Sequence, residues 1–273
     1  MPITLPSSPG IEIVKPDYNV QYLRLLIYGD SGTGKTFLTG HADDVPELCP
    51  VLFCDADMGT MTIADRNIDV TPIRSQKDAE NVVRFVRSHQ DAYKTVIFDG
   101  LTSIYNIIMR TRMSSPDRKY ERDQYIPELR DWMCATFQLR ALLYQFKNMP
   151  ANFIATALVD DRVDEATGTR ILRPALSLKL AQEIGASFNI VGYLFTRARG
   201  KAVMRLLQLE PGGGRVAKNQ SVYKLPAVLE SPTMQVLYGR CVLGKSLAEL
   251  GVSDGGSIID EASRPKNSDQ TEN

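Results

Sequence analysis

The sequence predicts an α/β fold, a mostly parallel sheet with helices on both faces and an antiparallel extension toward its C-terminal end. Three observations predict it. Short apolar runs rich in Val, Ile and Phe alternate with segments of helical periodicity. A glycine-rich loop joins the first such run to the first helix. Two late runs, Phe188–Thr196 and Ala202–Leu209, follow each other through the tight turn Arg199-Gly200, as hairpin strands do. A chain of 273 residues with 43% hydrophobic content can bury one core of this kind.

The elements follow in order. Residues 1–20 carry four prolines and short apolar groups (Ile11, Ile13, Val14), which reads as an extended arm. Leu23–Tyr28 is a strand, and Lys35–Gly40 opens a helix. Val51–Cys54 is a second strand, with Asp55 and Asp57 just beyond it. Val82, Val83, Phe85 and Val86 recur at helical spacing within Gln76–His89. Thr95–Phe98 is a third strand ending at Asp99, and Leu101–Met113 is a helix. A charged stretch, Ser114–Gln124, precedes a long helix from Glu128 to Lys147. Asn152–Leu158 is the fourth strand. Asp160–Arg173 then reads as a turn-rich charged loop, and Leu176–Ile184 as a helix. The domain plan is an arm at 1–20, a core at 21–230, a C-terminal segment at 231–252 and a polar tail at 253–273 expected to be disordered.

Several classes are excluded at this level. The formal net charge of +0 and pI near 6.7 leave no global attraction to nucleic acid, so any such site must be a local patch. Cys49, Cys54, Cys134 and Cys241 lack metal-ligand spacing and are expected to be idle or buried thiols. The first residues lack the basic start and apolar run of a signal peptide, and no stretch is long and apolar enough to span a membrane. A cytoplasmic protein is the expectation.

The chemistry lies in the loop Gly29-Asp30-Ser31-Gly32-Thr33-Gly34-Lys35-Thr36, followed by Phe37. Glycines let backbone N–H groups turn inward around phosphates, and the helix that follows adds its partial positive charge. Lys35 is placed to reach the β- and γ-phosphates, and the Thr36 hydroxyl to ligate Mg²⁺. The cofactors predicted are therefore ATP and Mg²⁺. Asp99 ends a buried strand at the edge where such sheets bind ligands, which suits a second holder of the Mg²⁺ shell. Asp55 or Asp57 is the carboxylate available to orient the attacking water; two solvated turn aspartates is the alternative reading.

In this order the parts resemble the RecA-type ATPase core over residues 20–225, and within it the short phage RecA-like proteins implicated in single-strand annealing. The resemblance implies ATP hydrolysis stimulated by DNA, with Asp57 standing where the family has a water-activating glutamate. It implies a first DNA loop at Arg112, Arg118, Lys119 and Arg122, with Tyr120 and Tyr125 for stacking, and a second at Arg162, Arg170 and Arg173. A solvated loop is the alternative for the first, because acids interleave its cations, and in the second Asp160, Asp161, Asp164 and Glu165 dilute the cations, so the patch depends on which face each residue takes. Thr156 falls where the family senses the γ-phosphate. Lys218, in Arg215–Gln220, matches a lysine that reaches the ATP of a neighbouring subunit, while Gln220 stands where a second lysine is expected. The partners implied are single-stranded DNA, further copies of the chain in a ring or filament, and a phage or host recombination or single-strand-binding protein. Two other readings share the loop: a small-molecule kinase with a lid at Arg110–Arg122, and a nucleotide-gated DNA-binding module with negligible turnover.

Overall fold

The computed structural model describes residues 22–116, 125–163, 165, 168–200, 202–253 and 255. The expected arm at 1–20, nearly all of the tail at 253–273, and the cations Arg118, Lys119 and Arg122 lie outside the described residues.

The elements in chain order are β1 (Arg24–Gly29), α1 (Lys35–Gly40), β2 (Val51–Asp55), β3 (Asp69–Pro72), α2 (Gln76–Ser88), β4 (Thr95–Asp99), α3 (Leu101–Met113) and α4 (Leu129–Lys147). They continue with β5 (Asn152–Val163), β6 (Arg170–Pro174), α5 (Leu178–Glu183), β7 (Ile190–Arg199), β8 (Ala202–Gln208), β9 (Lys218–Asn219), β10 (Val228–Glu230) and α6 (Met234–Cys241). The main sheet runs β10-β8-β7-β1-β5-β4-β2-β3. From β7 to β3 its neighbours are parallel, whereas β8 and β10 add antiparallel. This is the expected fold class, an α/β core with a mostly parallel sheet and an antiparallel extension.

Alternation along β1 builds both faces of the core. Leu25 and Ile27 point to one layer, where Leu38 of α1 and Leu237 of α6 pack. Leu26 and Tyr28 point to the other, with residues of α2, α3, α4 and α5. Strands buried on both faces read as continuous apolar runs, which is why β1, β2 and β4 are legible in the sequence. The helix α2 starts where Ser75 accepts from the Asp78 N–H and the Asp78 carboxylate accepts from the Ser75 N–H, a reciprocal cap. At the opposite edge of β1 the Arg24 guanidinium donates to the carbonyls of Ala151, Met149 (2.6 Å) and Lys147 (3.3 Å), and burial lowers its pKa to about 10.

Two sequence expectations need correction. The two ends of the segment 160–173 are strand and not loop: β5 runs on to Val163 and pairs antiparallel with β6, from Val159↔Pro174 to Val163↔Arg170. Its Asp and Arg residues face each other across the ladder, so ion pairs replace the apolar alternation that would have revealed strands. Sequence reading also missed β3, a largely exposed edge strand containing Pro72. Beyond residue 230, α6 buries Met234, Val236, Leu237 and Cys241 in the same layer as α1. Packing is therefore continuous from the core into the C-terminal segment.

Candidate nucleotide site and the flanking groove

The glycine-rich loop leaves β1 at the carboxyl edge of the sheet. A Cβ on Gly29 would sit 2.1 Å from the Leu194 carbonyl oxygen, so β7 packs flush against the loop entry and only glycine fits. Thr33 Oγ1 donates to the Asp30 carbonyl at 2.9 Å, closing the loop, while Asp30, Ser31 and Gly32 stay exposed. The Lys35 ammonium donates to the carbonyls of Gly29 (3.0 Å) and Asp30 (2.7 Å). Burial lowers its pKa, opposed by the charges of Asp99, Asp57 and Asp30. Gly34 precedes α1 in a left-handed conformation, φ 94°.

The Thr36 hydroxyl donates to Asp99 Oδ2 at 2.7 Å. Thr156 on β5 donates to Asp99 Oδ1 at 2.6 Å and accepts from the Gly100 N–H at 2.9 Å. Both oxygens of Asp99 are thus held by hydroxyls. Burial raises its pKa, the hydrogen bonds from Thr156 and Thr36 lower it, and Asp57 and Asp55 raise it further. A threonine hydroxyl beside a carboxylate is a hard-oxygen donor pair, which fits Mg²⁺ that keeps water and phosphate as its remaining ligands. Among the described residues no cluster of three or more His, Cys, Asp or Glu is placed to hold a metal ion. ATP-Mg²⁺, when bound, supplies the phosphoanhydride and the cation that neutralises its charge.

The structure separates the two aspartates after β2. Asp55, buried and in register with Asp99, accepts from the N–H groups of Asp57 (3.0 Å) and Gly59 (3.3 Å). It shapes the turn. Asp57 is exposed and accepts from Ser103 Oγ on α3. Its carboxylate lies over Gly100, φ +98°, where a Cβ would meet it at 2.5 to 2.7 Å. Sequence reading missed Ser103, which no local pattern marks. It also missed how Arg205 on β8 reaches the loop: Nε donates to the Thr33 carbonyl at 3.3 Å, and the guanidinium lies 5.4 Å from the centroid of Phe37. Phe37 also packs against the His41 ring, with centroids 4.1 Å apart and the planes tilted by 39°.

The cations expected to meet DNA are mostly engaged within the chain. Arg112 Nε binds the fully buried Asp131 at 3.1 Å and braces α3 against α4. Arg170 pairs with Asp161, while Arg162 and Arg173 share Asp160 at 3.0 and 2.9 Å. Within the chain, the Lys218 ammonium donates to the carbonyls of Gly185 and Phe188 (2.9 Å) and closes the turn after α5.

Beside this site lies a groove of about 430 Å³ lined by Tyr105, Asn106, Trp132, Arg162, Arg173 and the segment Ala175–Leu178. Its aromatic rings, Tyr105 and Trp132, have centroids 6.2 Å apart. Tyr28 Oη, at the end of β1, donates to the carbonyls of Leu172 (3.0 Å) and Val216 (2.7 Å) and fastens the β5–β6 hairpin beside the phosphate loop.

Fold and site together define a P-loop nucleoside triphosphatase core that binds ATP. The family model described as AAA domain matches residues 21–221, and the chain belongs to that family. Among solved structures it is similar to the flagellar accessory protein FlaH from Methanocaldococcus jannaschii, at 10% identity and a TM-score of 0.43, covering 80% of this chain and 90% of that one. It is also similar to the ATPase domain of G40P, at 14% identity, TM-score 0.43, covering 76% and 79%. The RadB recombinase matches at 12% identity, TM-score 0.43, covering 68% and 81%. Likeness at this level says nothing of activity. Comparison with curated proteins gave no match. No helix of the described residues is long and apolar enough to cross a membrane.

Proposed function

We propose that the protein is an ATPase whose hydrolysis is coupled to single-stranded DNA, serving a strand-annealing or recombination reaction. Lys35 binds the phosphates, Thr36 and Asp99 hold Mg²⁺, and Asp57, oriented by Ser103, positions the attacking water. The observation that carries the coupling is β5. Its Thr156 is bonded to Asp99, and four residues on, Asp160 anchors the arginines of the groove. A change in what Asp99 holds therefore shifts a strand that ends in the groove.

The groove's chemistry suits a single strand. Trp132, 42% exposed and backed by the buried ring of Tyr105, gives a base a surface to stack on, and of Asp160, Arg162 and Arg173 one positive charge remains unbalanced. Fluorescence anisotropy with a labelled oligonucleotide tests this. Trp132→Ala and Arg162→Ala should each weaken binding by about tenfold, the scale of one lost base stack or phosphate contact. Unchanged affinity in both variants rejects the groove as the DNA site. ATP consumption that responds to nucleoside monophosphates instead of DNA points to the kinase reading.

A further inference from the structure

The solvent face of α4 is apolar. Leu129 is 77% exposed, Met133 64%, Phe137 68% and Tyr144 64%. At helical spacing Met133, Phe137 and Tyr144 form one stripe with Ala141 between them, and Leu129 flanks it. Surface helices of globular proteins put polar groups on that face. Among the described residues nothing covers it.

We propose that residues 1–21 of the same chain cover this stripe, running antiparallel to α4. The chain enters the described structure at the right end of the helix. Arg24 donates to the carbonyls of Lys147 and Met149 at the C-terminus of α4, and the ring of Tyr22 lies 5.5 Å from that guanidinium. The length fits. A helix of 19 residues spans about 28 Å, which an extended chain covers in about eight residues. From Tyr22 that count brings Val20 level with Tyr144, Tyr18 with Phe137 and Val14 with Leu129, all three on one side of an extended segment.

Composition singles out this segment. Residues 1–21 hold Ile3, Leu5, Ile11, Ile13, Val14, Tyr18 and Val20, whereas 117–124 offer only Tyr120, and 256–273 only Ile258 and Ile259, as large apolar groups. Charge agrees as well, since Glu12 falls about two residues past the level of the exposed Arg130.

Limited proteolysis of the full chain with a glutamate-specific protease tests the proposal, scored by release of the fragment ending at Glu12. Cleavage follows the population of the undocked arm. Phe137→Lys, at an exposed position, should raise the release rate about tenfold. Val14→Asp in the full chain should raise the fluorescence of a dye that reports exposed apolar surface. Equal release rates, or unchanged dye binding, would overturn the proposal. So would protection that disappears on dilution together with an oligomer seen by light scattering, because a second copy would then be the cover.

Discussion

Burial at the carboxyl end of β4 makes Asp99 costly to ionise, and the same burial makes it a firm holder of a cation once one arrives. With its pKa raised, the folded state keeps a proton that the unfolded chain releases. The nucleotide-free protein should therefore lose stability as pH rises from the ordinary carboxylate range through the raised value. Asp99→Asn should remove that slope and stabilise the nucleotide-free protein near neutrality by about 1 kcal/mol, while abolishing Mg²⁺-dependent hydrolysis. Urea melts at several pH values check it, and an unchanged slope contradicts it. Residues of this site differ in how far sequence exposes them. Lys35 and Thr36 stand out because a phosphate cradle forces glycines into a short, ordered spacing. Asp57 is distinguished from Asp55 only by the turn that Asp55 itself closes. Ser103 and Arg205 reach the site from distant elements, and Lys218 turns inward to carbonyls that no local pattern reveals.

Among the elements, β5 is the one shared by both halves of the proposed mechanism. Thr156→Val keeps the shape but leaves the buried Gly100 N–H without its acceptor and Asp99 Oδ1 without its donor. A loss of about 1 to 3 kcal/mol in unfolding free energy is expected, with a lower turnover number. Full stability would show that this link is dispensable. The far half of β5 illustrates a limit of sequence reading. Val163 and the residues before it leave the core, and cross-strand Asp–Arg pairs take over, so polarity conceals a ladder whose backbone bonds are regular. The edge strand β3 is hidden for a related reason, since it has little burial to impose a period. By contrast α3 and β4, enclosed on their packed faces, follow the apolar pattern almost residue for residue.

At the scale of the whole molecule, the sheet separates two buried layers, and one of them extends from β1 through α6. Leu237 is fully buried in the layer that also packs α1. Leu237→Ala should cost about 2 to 5 kcal/mol and lower the urea midpoint of a single transition. A separate early transition would instead make the C-terminal segment an independent unit. The proposed coupling runs from the phosphate loop through Asp99 and β5 to a single-stranded DNA groove. Steady-state ATP hydrolysis by the full chain, with and without single-stranded DNA and alongside Lys35→Ala, tests it most directly. The predicted result is a rate that rises with DNA and disappears in the variant. A rate indifferent to DNA, with no DNA bound in any nucleotide state, would contradict it.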